Sequence, residues 1–95
     1  MLYSYRVEFE SDMETGDVVV SLPGLNHTTD SGRSVEEALD NLRELASGFI
    51  EVLHEQGEPV PPSDLPGEGL YLFLEVEDSA SVRYAQEKYL KSIHG

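Results

Sequence analysis

The sequence predicts a small α+β domain of element order β-β-β-α-β-α, a small mixed sheet with one long helix packed on one face. Three observations carry this. Leu2 to Glu10 alternates apolar and polar residues with a period of two. Val35 to Leu53 repeats apolar residues at three- and four-residue steps. Leu70 to Val76 is a second strand-like run that follows a Pro/Gly-rich stretch.

In the first strand Tyr3, Tyr5, Val7 and Phe9 fall on one face and Ser4, Arg6, Glu8 and Glu10 on the other. Ser11 to Asp17 is polar and contains Gly16, which suits a hairpin loop. Val18 to Leu22 is β-branched and apolar, a second strand antiparallel to the first. Pro23-Gly24 turns the chain. Leu25 to Thr29 reads as a short third strand, ended by Asp30-Ser31-Gly32.

Ser34 is a good N-cap, and Glu37 three residues on completes a capping box. The stripe behind it comprises Val35, Ala38, Leu39, Leu42, Leu45, Ala46, Phe49, Ile50 and Leu53. Gly57 is placed to end the helix, and Pro59, Pro61 and Pro62 keep it from resuming. In Leu70 to Val76, Leu70, Leu72, Leu74 and Val76 share one face, Tyr71 and Phe73 the other. A strand reached through a helical crossover is most simply placed parallel to an earlier one, beside the first. A last helix, within 79–95, would carry Val82, Ala85, Tyr89 and Ile93. It is expected to belong to the same domain as residues 1–78. Tyr71 and Phe73, opposite the helix face, need that last helix or a second copy of the chain as cover, so a homodimer is expected.

At 95 residues the chain has room for one modest core. It contains no cysteine, which removes disulfides and thiolate metal sites. The first ten residues lack a basic start and an apolar stretch, and the longest purely apolar run is Leu70 to Leu74. A soluble cytoplasmic protein without a signal peptide or membrane span is expected. The formal net charge is −13. Met1 to Asp78 holds eighteen acids and three bases, or −15; Ser79 to Gly95 holds one acid and three bases, or +2. Such a body repels phosphate backbones and attracts basic partners. Direct nucleic-acid binding by the main domain is therefore disfavoured.

Several segments, taken in order, resemble the HicB antitoxins. They are the alternating strand Tyr5 to Glu10, Gly16 to Leu22, Pro23-Gly24-Leu25, Thr28 to Gly32, Ser34 with Glu36-Glu37-Ala38-Leu39 and Asn41, and Gly57-Glu58-Pro59-Val60-Pro61. Their order and spacing, more than any one of them, carry the likeness, which spans Leu2 to Val76. The resemblance implies a partial RNase H-like fold that binds and silences a small basic HicA-like ribonuclease toxin. Many HicB proteins continue into a DNA-binding domain. Here one short helix is expected after residue 78, without a separate DNA-binding domain. A solitary, oligomeric family member with no toxin is the bland alternative.

The residues expected to meet a basic partner are exposed acids of the long helix, Glu36, Glu37, Asp40 and Glu44. A competing enzyme reading would make the chain a metal-dependent nuclease. Such chemistry needs several carboxylates converging on divalent cations, and Glu8, Glu10, Glu75 and Glu77 could supply them if their strands pair side by side. Acids on the outer face of a strand are expected in any case, so the chain is read as a binding protein with no catalytic residues. His27, His54 and His94 have no metal-ligand spacing. Neither a Gly-x-Ser-x-Gly elbow nor a Walker loop occurs, and no cofactor is implied. Arg83, Lys88 and Lys91 of the tail are read as complement to the acidic body.

Overall fold

The computed structural model describes residues 1–76. The expected last helix and Glu77 lie outside the described residues. The observed order is β1 (Leu2–Arg6), β2 (Glu8–Ser11), β3 (Val18–Leu22), β4 (Thr28–Gly32), α1 (Val35–Gln56) and β5 (Tyr71–Glu75). Strands β2, β3 and β4 form one antiparallel ladder, and β1 pairs with β5. One face of this surface carries α1. The class is α+β, as expected.

The helix ends as its sequence dictates. The Ser34 Oγ accepts a hydrogen bond from the Glu37 N–H at 3.1 Å. The Glu37 carboxylate reaches back to the N–H of Arg33 at 3.2 Å, one residue beyond the cap itself. At the other end Gly57 takes φ +69°, the left-handed region that glycine enters without a Cβ penalty. Its N–H donates to the His54 carbonyl and that of Glu58 to the Leu53 carbonyl, the paired bonds of a Schellman stop.

Helix α1 buries Ala38, Leu42, Ala46 and Ile50. These pack with Tyr3, Tyr5, Val7, Val20, Leu22, Leu25, Leu72, Leu74 and Val76 in one core. Val35 and Leu45, expected in the buried stripe, are 46% and 47% exposed, and Leu39 and Phe49 are only partly covered. The helix is rolled so that the row Ala38, Leu42, Ala46 and Ile50 faces the sheet. The reason is at Gly32, where an added Cβ would stand 2.5 Å from the Ala38 nitrogen. Backbone meets backbone there, and only small side chains fit between.

Four expectations are corrected. The strand Leu2 to Glu10 is broken at Val7 into β1 and β2, and Phe9, past the break, is 44% exposed. The third strand is Thr28–Gly32, not Leu25 to Thr29. Asn26 and His27 adopt φ +52° and +55°, and the Thr28 N–H closes onto the Leu25 carbonyl at 3.0 Å. Two consecutive left-handed residues make a type I′ turn, so His27 sits in a turn rather than a strand.

The third correction is that β5 runs antiparallel to β1, with Leu2 opposite Glu75 and Arg6 opposite Tyr71. Every strand pair among the described residues is antiparallel, so the sheet is not mixed. The return leg that a parallel strand would need is taken by the extended connection after α1. It lies along β1: the Asp64 N–H donates to the Ser4 carbonyl at 2.9 Å, Ser63 Oγ accepts from the Ser4 N–H, and Asp64 Oδ2 accepts from the Arg6 N–H. The chain thus reaches the Val7 end before β5 begins, where Val7 N–H donates to Leu70 O. As the fourth correction, Leu70 is not buried with Leu72, Leu74 and Val76 but 41% exposed at this crossing point.

Leu42 is fully buried at the helix centre. Leu42→Ala should cost about 2–5 kcal/mol through lost burial and the cavity left behind. Gly32→Ala should cost about 1–3 kcal/mol by forcing the helix off the sheet. Urea unfolding of both variants measures this. A Gly32→Ala midpoint equal to wild type would mean that the close approach is not a constraint.

Candidate functional site

No enclosed, catalytic-looking cavity organises the described residues, so the functional candidates are surfaces. Three surfaces were built from the elements above: the outward side of α1, the sheet face away from α1, and the seam where the 57–65 connection crosses β1.

At 3.6 residues per turn, the outward side of α1 divides into strips. Glu36, Glu37, Asp40 and Glu44 are all exposed, as expected of partner-facing acids. The helix does not hold them as one cluster. Glu36 shares a flank with Arg43, seven residues on, with Asp40 beside it, while Glu44 and Glu51 lie most nearly opposite the buried row. Glu37, Glu44 and Glu55 border the flank nearest β4, which carries Asn41, Leu45, Gly48 and Val52. Asn41 fixes that flank to the sheet, since its Nδ2 donates to the Ser31 carbonyl at 2.9 Å. Asp30, Asn41, Glu44 and Leu45 line a hollow of about 240 Å³ between helix and strand.

The sheet's other face carries Ser4, Arg6, Glu8, Glu10, Tyr71, Phe73 and Glu75. Arg6 pairs with Glu8 at 3.0 Å, both half exposed. A pair this exposed contributes little to stability. Leu2 and Phe73 are 67% and 59% exposed on the same face, whereas Tyr71 is half-buried and its hydroxyl donates to the Leu65 carbonyl at 3.1 Å.

Of the carboxylates of the nuclease reading, the three among the described residues, Glu8, Glu10 and Glu75, do not converge. Glu75 stands opposite Leu2, whereas Glu8 and Glu10 lie beyond the other end of β1 and pair with β3. Six residues of extended chain separate Glu8 from Leu2, roughly 20 Å. The antiparallel direction of β5 is what parts them. No group of three or more potential metal ligands occurs among the described residues.

The seam is the most closely bonded of the three surfaces. Tyr5 is fully buried and its hydroxyl donates to the Pro61 carbonyl at 2.6 Å. Burial, then the neighbouring Tyr3 and the Asp64 carboxylate, push its pKa up to about 12. Asp64 also packs against Gly24, where an added Cβ would stand 2.7 Å from the carboxylate. At the far end Tyr3 Oη and His54 Nε2 are 3.0 Å apart, while the His54 Nδ1 is buried without a partner among the described residues. Sequence reading missed Ser63, Asp64 and Tyr5 as a bonded set because nothing local marks it. The Ser-Asp pair after three prolines is the only trace.

No family model matches the sequence, and no curated protein does. Solved structures do match. The antitoxin HicB of Burkholderia pseudomallei aligns with a TM-score of 0.55 at 17% identity, over 97% of this chain and 87% of its own. A chain of the HicA3 and HicB3 toxin-antitoxin complex aligns with a TM-score of 0.54 at 20% identity, over 81% of this chain and 99% of its own.

The fold is HicB-like. At these identities the likeness establishes the fold and not the chemistry. The HicB-like fold nevertheless agrees with the segments on which the sequence resemblance rests.

Tyr5 gives the seam a pH signature. Its neutral form is favoured in the folded state, so the stability it contributes is complete below pH 10. That stability is lost as pH rises from 10 through about 12. Ultraviolet titration should show one tyrosine ionising late, and Tyr5→Phe should remove that component. All tyrosines ionising together near pH 10 would contradict the buried seam.

Proposed function

We propose that this chain is an antitoxin-type binding protein that silences a small basic HicA-like ribonuclease, and that it is not itself an enzyme. The observation that carries the reading is the joining of a HicB-like fold to a strongly acidic surface. Two structures of similar fold are a HicB antitoxin and a HicA3–HicB3 complex. The charge of −13 suits a partner whose own substrate is RNA, because a protein that binds phosphate backbones presents cations. Covering those cations with carboxylates denies the RNA its site. Glu37 and Glu44, with Glu36 and Asp40, are the acids proposed to meet the partner. The dispersal of Glu8, Glu10 and Glu75 speaks against the nuclease reading.

The same reading includes a cytoplasmic setting, a role for residues 79–95 as a helix of this domain, and two-fold association through the sheet face. Leu2 and Phe73 support the last of these, since apolar residues this exposed call for a cover. No helix among the described residues is long and apolar enough to cross a membrane.

The test uses purified protein, labelled RNA, Mg²⁺, and a small basic HicA-like ribonuclease. The expected result is no cleavage by this chain alone and suppression of the basic protein's cleavage at matched concentrations. Cation-dependent cleavage by this chain that disappears in Glu8→Gln with Glu10→Gln would replace the antitoxin reading with the nuclease. For the association, light scattering should give twice the chain mass, and Phe73→Ser should return it to one. A monomeric wild type would remove the dimer.

A further inference from the structure

Resting on the antitoxin reading, we infer that the flank of α1 beside β4 is where the basic partner docks, with an apolar side chain of that partner seated over Gly48 between Leu45 and Val52. Four observations converge on this strip. Leu45 and Val52, seven residues apart on one flank, are 47% and 45% exposed, although the helix has a buried row available one step round. Gly48 stands between them in the middle of a 22-residue helix. Glycine is the poorest helix former after proline, and here no contact within the described structure demands it, since an added Cβ would meet nothing within 4 Å. The missing side chain leaves a notch with apolar walls, which fits the close approach of another chain.

The rim supplies the partner's charge. Glu37, Glu44 and Glu55 border the strip, Asp30 closes it on the β4 side, and the helix's own Arg43 lies on the opposite flank. A docking protein therefore presents an apolar residue flanked by cations. Strand addition at the β4 edge is the competing mode, and the edge is already occupied at its centre. Asp30 Oδ1 accepts from the Ser31 N–H at 2.8 Å, and Asn41 Nδ2 fills the Ser31 carbonyl. The flank recognises side chains, not a strand.

The decisive variant is Gly48→Gln, which fills the notch without adding apolar surface and replaces the weakest helix former with a good one. Its Tm should rise, so lost binding cannot be ascribed to misfolding. Titration calorimetry against a small basic HicA-like ribonuclease should show the affinity of this variant reduced at least about tenfold, and that of Val52→Lys reduced similarly. Phe73→Ser, on the opposite face, should stay within about twofold of wild type. Gly48→Gln binding as well as wild type overturns the proposal. So does loss of binding confined to Phe73→Ser, which would put the partner on the sheet. If Gly48→Gln instead turns a dimer into a monomer and leaves the basic protein's affinity intact, a second copy occupies the flank and the proposal falls. Failure of the wild type itself to bind is a separate result: it strikes the antitoxin reading and takes the named occupant with it.

Discussion

The contact between the start of α1 and Gly32 sets the rest of the architecture. With no Cβ at Gly32, the backbone of Ala38 comes within the distance that any side chain would need, 2.5 Å from where that Cβ would lie. This pins the helix to the last strand of the ladder and fixes its roll. Once Ala38 faces the sheet, Leu42, Ala46 and Ile50 must follow at helical spacing, and Leu45 and Val52 are carried round to the flank. The acids are sorted by the same rotation. Glu37, Glu44 and Glu55 come to border the flank, while Asp40 falls on the other side, beside Glu36 and Arg43. A fold constraint at one glycine therefore decides which chemistry faces outward.

The second determinant is the connection after α1. Its prolines stop it from becoming helix or ladder, yet Ser63 and Asp64 give β1 the partners that a strand would have given. Side chains and one backbone N–H close part of an open edge, a known means of preventing unwanted strand pairing. The consequence for function is indirect but large. Because the connection makes the return journey, β5 runs back along β1, and Glu75 is carried to the Leu2 end. A parallel β5 could have gathered carboxylates on one face. The antiparallel one leaves Glu8, Glu10 and Glu75 as separate surface charges.

Local rules made much of this legible. The N-cap at Ser34, the Gly57 stop and the span of β3 are each written in a few adjacent residues, and each forms where the sequence places it. The resemblance to HicB antitoxins rested on such segments, and the overall fold agrees with it. Most of what failed depended on partners far along the chain, and one failure on an unusual local turn. The break at Val7 reflects a change of neighbours, from β5 to β3, that alternation alone cannot show. The Asn26–His27 turn needs two left-handed residues that are not glycine, so Leu25 to Thr29 reads as a strand. The direction of β5 depends on bonds made sixty residues away in sequence, roughly the separation of Arg6 and Asp64. For the candidate site, the sequence identified the exposed acids of α1 but not the helix roll that divides them, because periodicity defines a stripe and not which edge of it is buried.

In the proposed function, acidic charge brings this chain to a basic partner. The most direct measurement is the association rate constant with a small basic HicA-like ribonuclease, by stopped flow, across a range of salt concentrations. Opposite charges steer encounter, and screening shortens their reach to about 10 Å at 0.1 M ionic strength. The account predicts association that is fast at low salt and falls steeply as salt is added, with dissociation changing much less. A rate constant that stays flat from low to high salt would contradict it.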